Sequence, residues 1–322
     1  MEKVYKGREQ FTRYLVNTRP KTELYKTVSH KRPFSSEYEL KVPNNFNNRT
    51  FSSVAGTAFD YLARFLVARK SVLHKLEVLS NLKAYDGIEF FSKENRDYYT
   101  QKLNEYHGKI KSYILKKEGV EIIDVILASC YYARLEHNAR TSWIPNEETI
   151  KFLGHEDESI VKELLDMALV FDREFIQRVV KENSEIVYNP TFGECSRKLG
   201  GADSDIYIDG VLYDFKTTKY FEAKTTDETQ LWQYYIYHHV AKRNNDREST
   251  LFNKEIKALS LYKARFGEFE YVKISDIKEQ LIYMVGTNVL GTLANLKYYK
   301  TIDEAFIAYK NKMIFNRFKH KM

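Results

Sequence analysis

The chain has 322 residues, enough for one large domain or two small ones. Its 51 Lys and Arg against 44 Asp and Glu give a net charge of +7, compatible with a polyanionic partner without requiring one. No uninterrupted apolar run of about 18 residues occurs, which argues against a membrane-spanning helix, and only Cys130 and Cys195 are present, which predicts reduced thiols and a cytoplasmic location.

The first ten residues, MEKVYKGREQ, lack an apolar stretch behind their charges, so no secretory leader is expected. Residues 1–50 carry many charges, with Pro20, Pro33 and Pro43, and predict an extended or partly helical lead-in. Ser52 and Ser53 offer cap hydroxyls for a helix over 52–70, where Phe59, Leu62, Phe65, Leu66 and Val67 follow helical spacing. Further helices are expected over 72–82, 92–116, 120–135, 146–152 and 159–181, so residues 52–182 form a helical block. After Asn183 the pattern changes. Strands are expected over 185–188 and at Thr191–Phe192, then around a turn at Asp209-Gly210, then over 258–262 and 269–274. Helices over 227–243 and 275–296 flank them, and a basic amphipathic helix over 302–318 closes the chain. The whole predicts one α/β domain over 51–322, with a motif-bearing core over 183–300 and a basic tail over 301–322.

The most informative stretch is GGADSDIYIDGVLYDFKTT, residues 200–218. Asp209 and Gly210 tolerate positive φ and suit a two-residue hairpin turn. With these as the central turn residues, Ile208 faces Val211, Asp205 faces Asp214, and Asp203 faces Lys216. Alternation along a strand then puts Asp203, Asp205, Asp214 and Lys216 on one sheet face, with Phe215 turned into the core. Three carboxylates and an ammonium on one face are costly unless a cation or a solvated cleft accommodates them. Carboxylates suit a hard divalent cation, Mg²⁺ or Mn²⁺, and such a cation beside a lysine suits phosphodiester hydrolysis.

These residues resemble the PD-(D/E)xK nuclease superfamily, and within it the RecB-like branch. Gly200-Gly-Ala-Asp203 is similar to that branch's G-x-x-D element, Asp214-Phe-Lys216 followed by Thr217-Thr218 to its (D/E)-x-K element, and Gln230-Leu-Trp-Gln-Tyr234 to its Q-x-x-x-Y helix. Gln233 and Tyr237 repeat the last spacing. Upstream, Gly56-Thr-Ala-Phe-Asp60 resembles the branch's Gly-to-His helix element, with Asp60 in the His position. The resemblance implies a restriction-endonuclease-like core, a central mixed sheet flanked by helices, with a large helical N-terminal region. It also implies a metal held by Asp203 or Asp205 with Asp214, the Phe215 backbone carbonyl and Asp60. Lys216 would position water, and Gln230 and Tyr234 would support the site. Two cysteines cannot supply a four-cysteine iron–sulfur cluster, so none is expected.

DNA is the expected substrate, in repair and recombination or in defence against phage and mobile elements. Any helicase or ATPase partner would be a separate chain, since no P-loop motif occurs. Arg197 and Lys198 stand close enough to Gly200 to contact a phosphate, and the basic C-terminal run could track a nucleic-acid backbone. Plainer readings stand beside these. Asp60 could simply pair with Arg64 one helical turn away, Asp214 and Lys216 could form a solvated ion pair, and Glu136-His137 could serve as surface or capping groups. The alternative function is a non-catalytic nucleic-acid-binding or assembly subunit on the same fold.

Overall fold

The computed structural model describes residues 12–44, 49–80, 82–141, 158–199 and 203–296. Gly200, Gly201 and Ala202, the helices expected over 146–152 and 302–318, and the basic C-terminal run lie outside the described residues. The protein is α/β, with a six-stranded mixed sheet between helical layers. The strands are β1 (Lys26–Thr27), β2 (Ile186–Tyr188), β3 (Ile206–Ile208), β4 (Val211–Lys216), β5 (Ala258–Lys263) and β6 (Glu268–Lys273). They lie in the order β1-β6-β5-β4-β3-β2, and β4 with β5 is the one parallel pair in this sheet.

The principal helices are α1 (Arg49–Lys70), α2 (Lys93–Ile114), α3 (Ile122–Thr141), α4 (Glu158–Phe171), α5 (Glu194–Lys198), α6 (Thr225–Arg243) and α7 (Glu279–Leu296). Helix α6 is the crossover that joins the parallel strands β4 and β5, as parallel pairing requires. Helices α6 and α7 cover one sheet face, where Leu231, Trp232, Val285 and Val289 pack with Tyr207, Leu212, Leu259 and Val272. Helices α1 to α4 cover the other, against Ile206, Tyr213, Phe215 and Tyr262. Phe175 anchors that second core: its ring lies 5.0 Å from Tyr213, 5.5 Å from Phe215 and 5.1 Å from Tyr262.

Two expectations are corrected. A helix over 72–82 does not form, because His74 is held at a left-handed φ of 56° and the chain continues as 3₁₀ turns over Lys75–Leu79 and Lys83–Phe90. The helix expected over 159–181 widens into a π turn at Asp172–Ile176, where Phe171 and Phe175 stack at 4.6 Å. In the described part of the lead-in, residues 12–18 are helical, β1 extends the sheet beside β6, and Leu15 and Tyr25 are core residues.

Arg265, just past β5, ties these layers together while almost fully buried. Its guanidinium donates to Thr217 O at 2.6 Å, to Pro43 O at 2.8 Å and to Glu163 Oε2 at 2.6 Å. Strand β4's exit, the lead-in and α4 therefore meet on one side chain, and the planar guanidinium fork has donors enough to serve all three.

Replacing Phe175 with Ala should cost about 3–5 kcal/mol, because the residual cavity adds to lost burial. A lower urea midpoint at unchanged slope would record it. Leu169→Ala, on the exposed side of α4, should stay within about 0.5 kcal/mol.

Candidate active site

The hairpin forms as the turn chemistry requires. Asp209 and Gly210 take φ of 48° and 93°, and the ladder runs Ile208 to Val211, Tyr207 to Leu212 and Ile206 to Tyr213. β3 then ends, one residue before Asp205 would pair with Asp214. The Phe215 N–H, which would otherwise lack a partner there, donates to Asp205 Oδ2 at 2.5 Å. Ser204 Oγ likewise donates to Tyr213 O at 3.1 Å. Asp205 thus replaces the missing strand with its own carboxylate and comes to lie beside Asp214.

Asp203 follows a different path. Its backbone bridges to Thr191, Ser204 N donates to Pro190 O, and its carboxylate forms an ion pair with Lys83. The register that would set Asp203 opposite Lys216 does not form: the β3–β4 ladder stops at Ile206–Tyr213, and residues 203–205 stay paired only on the other edge, where 189–191 continues β2 in unchanged register. Of the two aspartates the sequence left open, Asp205 is the one brought to Asp214.

Lys216 Nζ lies 2.6 Å from Asp214 Oδ2 and 3.7 Å from Asp227 Oδ1, and donates to Gln230 Oε1 at 3.0 Å. Gln230 Nε2 donates in turn to the Tyr234 hydroxyl at 2.6 Å. Gln230 and Tyr234 are one turn apart on α6 and share a face toward the strand. Tyr234 also stacks on Phe192, with ring centroids 5.6 Å apart. The Asp214 Oδ2 atom is buried and ion-paired, yet no donor is aligned to it.

Asp60 enters from α1, which passes close to the end of β4. Gly56 eases that approach: a Cβ there would sit 3.3 Å from Thr217 Oγ1, a tight contact. Arg64 donates to the Asp60 backbone carbonyl at 2.8 Å, so its nearest bond is to the main chain of Asp60. Asp60 lines a cleft of about 660 Å³ with Lys216, Thr217, Thr218, Lys219, Tyr220, Lys224 and Asp227. On its other side is a pocket of about 50 Å³ shared with Asp203, Asp205, Lys83 and Glu136.

Charge is concentrated here under burial. Burial pushes Asp205 up to about 7, with the Asp214 charge adding to it. Burial also raises Asp214, against the opposing pull of Lys216, and burial followed by the Asp205 charge holds Asp60 well above the usual carboxylate range. Burial alone would lower Lys216, but the carboxylates of Asp214, Asp227 and Asp205 outweigh it and keep its ammonium protonated above the ordinary lysine range. Burial, then the Asp214 and Asp205 charges, drives the Tyr234 hydroxyl far above its normal value, so it stays protonated and neutral.

These donors suit a hard divalent cation in kind: carboxylates at a cleft, one with an oxygen lacking an aligned donor, each raised in pKa by burial. As the side chains stand, no group of three or more His, Cys, Asp or Glu among the described residues is arranged around a metal position. The ammonium of Lys216 supplies the positive charge next to Asp214.

Arg197 and Lys198, on α5, are engaged in ion pairs with Glu248 and Glu194 respectively. Glu136 is not a surface or capping group: it is buried on α3, accepts from the Tyr61 hydroxyl at 2.6 Å and pairs with Arg140 at 2.5 Å. Its i,i+4 spacing to Arg140 was the available sequence signal, and Asp227 was marked only by its place one turn before Gln230 and two before Tyr234. Lys83 carried no signal, because its pairing with Asp203 spans 120 residues.

Asp205 binds its proton more tightly in the folded protein than in the unfolded chain, where an aspartate titrates near about 3.9. Its contribution therefore favours folding at acid pH and is lost as pH rises from about 4 through about 7. Asp205→Asn should flatten that decline and raise the metal-free melting temperature at pH 8, as a series of calorimetric melts would record. Comparison with family models, curated proteins and solved structures returns no match, so the residues themselves carry the functional reading.

Proposed function

We propose that this protein is a Mg²⁺- or Mn²⁺-dependent deoxyribonuclease with a PD-(D/E)xK core of the RecB-like kind. One observation carries the reading: Asp205, Asp214 and Lys216 share the end of a β-hairpin, with Asp60 from α1 and the Gln230–Tyr234 pair from α6 converging on it. Asp214 and Asp205 would hold the cation, joined by Asp60 and the Phe215 carbonyl, while Asp203, paired with Lys83, would act from further out. A divalent cation bound there would polarise a phosphate oxygen and acidify a water.

The residues of the chain supply the rest. Lys216 is held protonated by its acidic neighbours, so it serves as a donor that orients the attacking water and stabilises charge on the phosphate oxygens. Gln230 fixes the Lys216 ammonium from one side, and Tyr234 fixes Gln230. Repair or recombination and defence against phage or mobile elements both suit this chemistry, with any helicase or ATPase supplied by a separate chain.

Incubation with linear and circular, single- and double-stranded DNA, and with RNA, should give Mn²⁺-dependent cleavage of DNA. Lys216→Ala should reduce that cleavage by about 10²-fold or more with DNA binding close to wild type at temperatures where the variant is folded, and should lower the metal-free melting temperature, because Asp214 loses its buried ion-pair partner. Titration calorimetry should detect Mn²⁺ binding that Asp214→Ala removes. Absence of that heat in the wild type would favour the non-catalytic nucleic-acid-binding subunit, which the lack of a ready three-ligand group among the described residues would also suit.

A further inference from the structure

The segment that leaves β4, residues 217–224, lines the cleft together with α1, and Tyr220 is the ring it contributes to that lining. Tyr220 is 53% exposed although it lines the cleft together with Asp60 and Lys216. Two ammonium groups lie over that ring, Lys219 at 5.6 Å and Lys224 at 5.7 Å from its centroid. Both lysines are exposed and line the same cleft. Cation–π contacts at exposed sites are weak, so a better partner readily displaces them.

The segment is not a loose loop. Tyr220 N donates to Thr218 Oγ1 at 3.2 Å, and Lys224 Nζ donates to the same oxygen at 3.3 Å. From beneath, the buried Lys263 ammonium donates to the carbonyls of Phe221 and Glu222. Arg265 holds the start of the segment through Thr217 O. Two buried cations thus fix the main chain on either side of Tyr220, while its ring and its two lysines are left facing solvent. An aromatic kept exposed by a wall built this firmly is arranged to receive something planar.

We propose that Tyr220 is a stacking platform for an unpaired base of a DNA strand, with Lys219 and Lys224 taking the phosphates on either side of that nucleotide. This rests on the nuclease reading of the cleft and narrows it to substrates with a single-stranded segment or a frayed end. When a strand binds, the phosphates draw the two ammoniums off the ring and the base takes the face they leave. Stacking of this kind accepts any base, whereas a paired base has both faces covered inside the duplex.

The test is fluorescence anisotropy of the full chain with three labelled probes, in Ca²⁺ to suppress cleavage: a short oligodeoxythymidylate, the same length of abasic strand, and a blunt duplex. Tyr220→Ala should weaken oligodeoxythymidylate binding about tenfold or more, and leave the abasic strand and the duplex within about twofold. Tyr220→Phe should bind as the wild type does, since the ring rather than the hydroxyl is used. Lys219→Ala with Lys224→Ala should weaken all three probes and lower the salt dependence. Equal loss on all probes, or none, with Tyr220→Ala overturns the platform, and melting curves identify any loss that comes from unfolding. If the wild type cleaves DNA with Mn²⁺ but Tyr220→Ala binds normally, only the platform falls. A wild type that neither binds nor cleaves any strand removes both readings.

Discussion

The pleat of β4 is the constraint on which the cleft depends. Tyr213 and Phe215 enter a cluster of rings that includes Phe59, Phe171, Phe175 and Tyr262. The residues between and beyond them, Asp214 and Lys216, must then face α6. A slip of one residue would drive a carboxylate and an ammonium into that ring cluster and carry Phe215 into the cleft, so the register is enforced by packing rather than by the charges. Pairing on both sides, parallel to β5 and antiparallel to β3, leaves the strand no freedom to rotate.

That rigidity keeps the carboxylates together under burial, and their raised proton affinity is the consequence. Asp60, Asp205 and Asp214 repel one another while desolvated, and Lys216 relieves only part of the cost. Rigid elements from three directions (α1, the β3–β4 hairpin and α6) hold them in place. A cation bound as proposed would relieve that repulsion by neutralising the buried carboxylates.

Behind the cleft a second layer of buried charge performs a structural task. Lys263 is paired with Glu270 at 3.4 Å, and Glu270 accepts from the Tyr38 hydroxyl at 2.8 Å. Burial pushes Glu270 up to about 7 and lowers Lys263 below its ordinary range. Arg265 and Glu163 form a comparable pair between the sheet and α4. Buried pairs of this type contribute little net stability, but removing one partner strands the other, so they fix geometry. Here the geometry they fix is that of the 217–224 wall.

The hairpin, its turn residues and the alternation of Asp214, Phe215 and Lys216 were legible in the sequence, because each depends on neighbours a few residues away. So were the Gln230–Tyr234 face of α6 and most helices of the N-terminal block, which follow from local periodicity. The choice between Asp203 and Asp205 was not. It turns on where the β3–β4 ladder ends while the β2 side of β3 goes on pairing as far as Asp203, and that is decided by packing. Lys83 on Asp203, Arg265 across three layers, and the lead-in strand beside β6 were equally hidden, since each joins residues far apart in the chain. The sequence by itself determined which side chains share the face of β4; the tertiary structure decided which of them meet, because only packing sets the distances over which charges act.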